Sequence, residues 1–304
     1  DQVWISYFTG GGDNMGEGFG KLTAGYGSRR NPAEAGDKIG PEFTFGIYMQ
    51  KALKEPVLII KTAWGGKSIH TDFRPPSAGP YPFGEQELEN LKKRGKNLEE
   101  VKADRAEQTG RFYRLTIEHV RRVLKDVKRV YPGYNPKDGY ELAGFAWFQG
   151  WNDMVAGGTY PNRGQPGGYD AYSECMAHFI RDVRKDLKAP DMKFVIGVMG
   201  VGGPLEKYAS QRYVPIHGSF REAMAAPASM PEFKGNVAAV RTAPFWDMRL
   251  KELEDNQGKV KQMAGFLKSK HKDHPNKDGS MDAKAQKTYL EKYRRELISE
   301  EDEA

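Results

Sequence analysis

The sequence predicts an α/β protein in which a parallel sheet is covered by helices on both faces. Three observations carry this reading. Short apolar runs of strand length alternate with stretches long enough for crossover helices. At least four of those runs end in glycine or polar residues, where ligands bind in open α/β sheets. Hydrophobic residues make up 38% and charged residues 29% of the 304 residues, which fits a globular chain with a real core.

Taken in order, Val3-Trp4-Ile5-Ser6-Tyr7-Phe8 reads as a strand or extended segment. Residues 9–40 read as a long glycine-rich loop that holds Arg29, Arg30 and Asn31. Pro41 and Glu42 suit a first helical turn, and Glu55-Pro56 ends the helix near Lys54. Residues 57–63 form the clearest strand and run into Trp64-Gly65-Gly66-Lys67-Ser68. Residues 72–84 are proline-rich and extended, and 85–110 are charged and helical in part. Apolar residues from Phe112 to Val127 recur at helical spacing, predicting one amphipathic helix over 111–130. The strand at 144–148 follows, then a glycine-rich loop over 154–168 and a second amphipathic helix over 169–187. Residues 194–199 and 236–242 read as strands, with a helix over 217–225 between them. Residues 247–298 read as two charged helices joined by a loop around His274.

The net charge of +6 comes from 47 basic and 41 acidic residues that are largely interleaved, which argues against a nucleic-acid groove. No window approaches the ~18 consecutive apolar residues of a membrane span. The single cysteine, Cys175, lies in a helical pattern and reads as core. Both ends read as cuts in a longer protein, since the chain starts at Asp1 within an apolar run and stops in the acidic stretch Glu300 to Glu303.

The stretch Gly144-Phe145-Ala146-Trp147-Phe148-Gln149-Gly150-Trp151-Asn152-Asp153 begins as a buried strand and ends abruptly in amide and carboxylate groups. Two readings stand: an ordinary turn, for which these residues are good chemistry, or a binding site at a strand end. Gly65 and Gly66 give a second such end, where backbone N–H groups can approach a ligand closely. A backbone N–H beside an asparagine amide is the usual make-up of an oxyanion hole, in which one donor is worth ~3 kcal/mol.

The pair Trp64-Gly65-Gly66-Lys67-Ser68-Ile69 and Trp147-Phe148-Gln149-Gly150-Trp151-Asn152-Asp153 resembles the second and third sequence blocks of the SGNH/GDSL hydrolase superfamily. More narrowly, it is similar to the sialate O-acetylesterase-like carbohydrate esterases. Ile39-Gly40-Pro41-Glu42 and Asp72-Phe73-Arg74-Pro75-Pro76 look like that family's large bacterial branch, and the likeness runs from about residue 1 to the end. The resemblance implies a three-layer α/β/α sandwich with a central parallel sheet, SGNH- or flavodoxin-like. It implies one esterase domain over residues 1–304, incomplete at both ends, with 9–40 and 72–110 as loop or insertion segments. It implies hydrolysis of acetyl esters on an O-acetylated carbohydrate through an acyl-serine, without metal or organic cofactor, in an exported protein. Gly66 or Gly65 and Asn152 would supply the oxyanion hole, Gly150 the tight turn and Gln149 a brace, while Asp153 would fix the loop. Trp151 departs from the acidic residue often found after that glycine, which weakens a specific claim on sialic acid.

The resemblance also requires a serine in an early block and a histidine in a late one. Gly12-Asp13-Asn14-Met15 echoes the first, but Asp13 occupies the serine position, and the resemblance places residues 1–40 downstream of the true block. Asp273-His274-Pro275 echoes the second, but His271 stands three residues before His274 and the surroundings are lysine-rich, as in a solvated loop. Nucleophile and base are therefore expected outside this chain. The rival reading is a non-catalytic carbohydrate-binding or scaffold protein on the same fold.

Other residues have two readings each. His70 and Asp72 could contact substrate or make structural hydrogen bonds. His271, Asp273 and His274 lack the spacing of a closed zinc site. His119 and His178 fall within amphipathic helices and read as packing or surface residues. Arg29 and Arg30 could meet an acidic sugar or simply be solvated. Trp64, Trp147, Trp151, Tyr160 and Trp246 could stack on sugar rings or pack in the core.

Overall fold

A computed structural model describes residues 2–27, 38–208, 210–269, 273–299 and 302. The strands are β1 (Val3–Thr9), β2 (Gly16–Lys21), β3 (Val57–Thr62), β4 (Gly144–Trp147), β5 (Lys193–Val198) and β6 (Val237–Arg241). The helices are α1 (Pro41–Leu53), α2 (Glu85–Lys93), α3 (Leu98–Gln108), α4 (Arg111–Lys125), α5 (Val127–Val130), α6 (Trp151–Val155), α7 (Asp170–Asp186), α8 (Val214–Ala225), α9 (Met248–Leu267) and α10 (Ala283–Leu297). None of the described helices is long and apolar enough to cross a membrane.

The architecture is mixed α/β, with helices packed against two small sheets. The expected single central parallel sheet is not what the hydrogen bonds form. The strands pair in two three-stranded sheets, ordered β2-β1-β3 and β4-β5-β6. β1 pairs in parallel with β3, Ile5 opposite Ile59, and antiparallel with β2, Trp4 opposite Lys21. β4 pairs in parallel with β5, and the rings of Phe145 and Phe194 stack across that pair at 5.0 Å. Apolar runs identify strands, but their partners are chosen by long-range contacts that no local pattern carries.

β2 lies in the segment expected as loop. Its sequence, Gly16-Glu17-Gly18-Phe19-Gly20-Lys21, has no apolar alternation, so only pairing with β1 makes it a strand. The expected helix over 111–130 is broken at Asp126, whose φ of −143° and ψ of 69° are not helical. The Asp126 carboxylate accepts from Arg129 N at 3.3 Å and so starts α5 as a cap. α1 begins with Pro41 at its first turn and ends at Lys54 in the left-handed region (φ 59°).

α1 packs on the first sheet through Gly46, where an added Cβ would lie 2.7 Å from Leu22, 2.8 Å from Val3 and 3.0 Å from Ile59. The second sheet carries the main core, in which Trp147, Tyr172, Phe179, Phe194 and Phe220 are buried.

The chain divides into two compact units. One comprises residues 1–199 and 211–240 and contains nearly all of both sheets; the other comprises residues 200–210 and 241–304. Within the second, Asp247 caps α9 and Asp282 caps α10. Asn256 Nδ2 ties the two helices together by donating to Leu297 O at 2.9 Å.

Candidate active site

Two strand ends meet in the first unit. β3 runs out through Ala63 into the loop 64–74, and β4 runs out through Phe148 into α6. The polar cluster expected on a strand-to-loop turn thus continues into a short helix, with Gly150 as its N-cap and Asp153 inside its first turn.

Asp153 joins the two ends. Its side chain is 0% exposed. Oδ2 accepts from Ile69 N at 2.9 Å and from Gln149 Nε2 at 2.6 Å. Oδ1 accepts from His70 N at 3.2 Å and from Tyr160 OH at 3.0 Å. Burial pushes the Asp153 carboxyl above its ordinary range, and these four donors pull it back. Gln149 Nε2 also donates to Lys67 O at 2.9 Å, a second tie between the blocks. Tyr172 OH in turn donates to Gln149 O at 3.2 Å. Gln149 and Asp153 therefore tie the two loops together.

Gly150 is required by space. Its φ of 167° is ordinary extended backbone. An added Cβ would lie 2.8 Å from the Phe220 ring and 3.3 Å from Met224 Sδ. Gly66, by contrast, has φ +74°, and neither Gly65 nor Gly66 has a neighbour in the space a Cβ would take. Both are exposed, and their N–H groups have no hydrogen-bond partner among the described residues. The half-buried Asn152 amide likewise makes no hydrogen bond to a described residue. Donors without acceptors beside a riveted loop pair can stabilise developing negative charge.

The family model described as carbohydrate esterase, sialic acid-specific acetylesterase, matches residues 28–241, well over half of the chain. The chain belongs to this family. Two solved structures are similar at 14% sequence identity. A protein from Arabidopsis thaliana has a TM-score of 0.39, with 78% of this chain and 68% of that chain covered. A carbohydrate acetylesterase from Xanthomonas citri has a TM-score of 0.43, with 79% of this chain covered. This chain spans 42% of the length of the Xanthomonas protein. No curated protein sequence matches significantly.

In this member of the family the remaining candidates separate. His70 is 7% exposed, and its Nδ1 is buried without a partner among the described residues. Its ring meets Tyr81 edge-on at 5.0 Å and Tyr160 at 5.8 Å. Burial, then the charges of Arg74 and Arg105, hold its pKa down at about 4. Asp72 is structural: it accepts from Ser68 N at 2.9 Å and pairs with Lys67 Nζ at 3.3 Å. Trp151 is exposed at the mouth of α6, whereas Trp147 and Tyr160 are buried and Trp64 packs among Phe8, Phe73 and Phe112. Trp246 belongs to the second unit. Cys175 is buried, with its thiol pushed up to about 12, so it is core.

Asp13 sits exposed in a single 3-10 turn, Gly12–Asn14. His274 stacks on Phe266 at 4.2 Å in the second unit. His271, Arg29, Arg30, Asn31, Glu300, Glu301 and Glu303 lie outside the described residues. No cluster of three or more His, Cys, Asp or Glu suited to a metal occurs among the described residues.

Serine–histidine contacts do occur, away from the riveted loops. Ser6 Oγ lies 2.9 Å from His119 Nε2, but Arg122 Nη2 lies 2.8 Å from His119 Nδ1. Arginine only donates, so Nδ1 must accept and Nε2 carries the proton. His119 thus donates to Ser6, which donates to Glu17 Oε1 at 2.6 Å. That is the wrong tautomer for a base, and Ser6 is 0% exposed. Ser77 Oγ and His178 Nδ1 are 2.8 Å apart at the surface, with no carboxylate of the described residues bonded to the imidazole. Sequence reasoning missed Tyr160 as a partner of Asp153, because tyrosine in a glycine-rich loop gives no local signal of what it will meet.

Proposed function

We propose that the chain carries the anion-stabilising part of a carbohydrate O-acetylesterase site. The observation that carries this reading is the buried Asp153 carboxylate, bonded to the backbone beyond Gly65 and Gly66 and to Gln149. It unites the two loops whose free donors are the Gly65 and Gly66 N–H groups and the Asn152 amide. As an acetyl ester is attacked, its carbonyl oxygen gains charge, and donors already in place stabilise that charge without reorganising.

The attacking group in this reading is a serine hydroxyl whose proton passes to a histidine and then to the departing sugar oxygen. Water then releases acetate from the acyl-serine. Neither group is assigned to a residue of this chain. Trp151, where an acidic residue is often found, leaves the sugar open. We also infer that the two sheets belong to a three-layer α/β/α arrangement, supported by the parallel pairs β1–β3 and β4–β5.

The test is acetate release from an O-acetylated glycan by the full-length protein. Asn152→Ala is expected to lower kcat by about 10²–10³-fold. Undiminished activity in that variant would remove Asn152 from the oxyanion role. A second reading, a pocket that binds carbohydrate without hydrolysing it, is favoured by the serine–histidine contacts lying elsewhere. It predicts glycan binding with no acetate release.

A further inference from the structure

A cleft of about 410 Å³ opens between the 74–83 loop and the helices α3 and α4. Its walls are held in place. Arg74 spans the loop, with Nε donating to Gly79 O at 2.8 Å and Nη2 to Ala78 O at 2.6 Å. The preceding turn is laced to the start of α4 by Gly110 N donating to Thr71 O at 2.8 Å and Phe112 N to Asp72 O at 2.9 Å. Gly110 has φ +70°, and a Cβ there would lie 2.6 Å from Arg74 O, so loop and helix touch through backbone. A cleft shaped before its ligand arrives loses little ordering entropy on binding.

The lining combines two chemistries. Tyr81 and Phe83 form an aromatic wall, their rings 4.8 Å apart and edge to face, with the Arg105 guanidinium 4.5 Å from the Tyr81 centroid and the Tyr81 hydroxyl donating to Glu87 at 3.0 Å. Lys102 and Arg114 supply exposed cations, whereas the Arg74 guanidinium is taken up by Gly79 O, Ala78 O, His70 O and Cys175 Sγ; no carboxylate is among the lining residues. Arg114 is exposed and donates to Thr109 O at 2.8 Å and Glu107 O at 3.2 Å, which leaves further N–H groups over. Lys102 is exposed and has a 3.5 Å contact with Glu99 at the surface. An aromatic wall beside such cations suits a sugar ring that carries an anionic group. The ring's C–H face packs on the aromatics, and the anion meets the Lys and Arg.

Tyr81 links the cleft to the strand ends. Its ring meets that of His70 at 5.0 Å, and the His70 backbone N–H donates to Asp153. We propose that this cleft is a subsite for an anionic sugar unit, either a uronate or a sulfate ester, next to the unit whose acetyl group the strand ends would hold. The placement of that acetyl group rests on the function proposed above; the binding chemistry of the cleft does not.

Calorimetry on the 304-residue chain tests it with an oligogalacturonate, a sulfated galactan oligomer and a neutral galactan oligomer of equal length. At least one anionic oligomer is expected to bind at least about tenfold more tightly than the neutral one, and which of them does so separates uronate from sulfate. Lys102→Ala and Arg114→Ala are each expected to weaken that binding by about tenfold, and added salt should weaken it further. Lys102→Glu, at an exposed helix position, should abolish it without loss of the fold by circular dichroism. Binding of the neutral oligomer as tightly as the anionic ones, no binding at all, or full binding by the Lys102 variants would overturn the proposal. Because binding is read without turnover, a failure to release acetate bears on the proposed function alone.

Discussion

Replacing Asp153 with alanine removes the acceptor of four hydrogen bonds, those from the N–H groups of Ile69 and His70, one hydrogen of the Gln149 amide, whose other bond to Lys67 O remains, and the Tyr160 hydroxyl. Each buried donor left unsatisfied costs energy, so Asp153→Ala is expected to lower stability by about 3 kcal/mol or more. A urea titration should show the midpoint falling at an unchanged slope. An unchanged midpoint would mean that the loops hold together without the carboxylate. Asp153 also shows what can be read locally at this scale. The family resemblance implies that it fixes a loop; that it reaches residues 69 and 70, more than eighty positions earlier, no local pattern shows. The same holds for Gly150. A glycine was expected there for its turn, yet the demand comes from the ring of Phe220, seventy residues away.

At the scale of elements, α1 depends on Gly46 to approach the first sheet. A larger residue must displace Leu22, Val3 and Ile59 at once. Gly46→Val is expected to destabilise by about 2 kcal/mol through overpacking, read as a lower midpoint in thermal melts. A midpoint equal to that of the unaltered chain would show that the helix can lift away freely. Most helices and strands were legible because apolar spacing reports the face an element buries. The exceptions have physical causes. β2 is made by its neighbour rather than by its own residues, and Asp126 breaks a helix whose apolar spacing continues through it.

For the whole molecule, acid is expected to be the weak side. His70 and His119 are both held down at about 4 from the ordinary 6.5, His119 by burial first and then by Arg122 and Arg129 against the opposing charge of Glu17. The unfolded chain binds these protons first, so their stabilising contribution is complete above pH 6.5 and is lost as pH falls toward about 4. Urea midpoints taken across that range should decline, and His119→Gln should decline less steeply. Parallel curves for the two proteins would refute the assignment. The difference between them isolates His119 from Asp153, whose raised carboxyl has the opposite pH dependence.

The sequence by itself determined the class of fold, the positions of most elements and the two glycine- and amide-bearing strand ends, because those follow from side-chain periodicity and backbone chemistry within a few residues. Only the tertiary structure decided that the strands pair in two sheets, that Asp153 rivets one strand end to the other and that a cation-lined cleft lies against Tyr81. Each of these depends on residues far apart in the chain meeting at hydrogen-bond or van der Waals distance, and no short window of sequence carries that information.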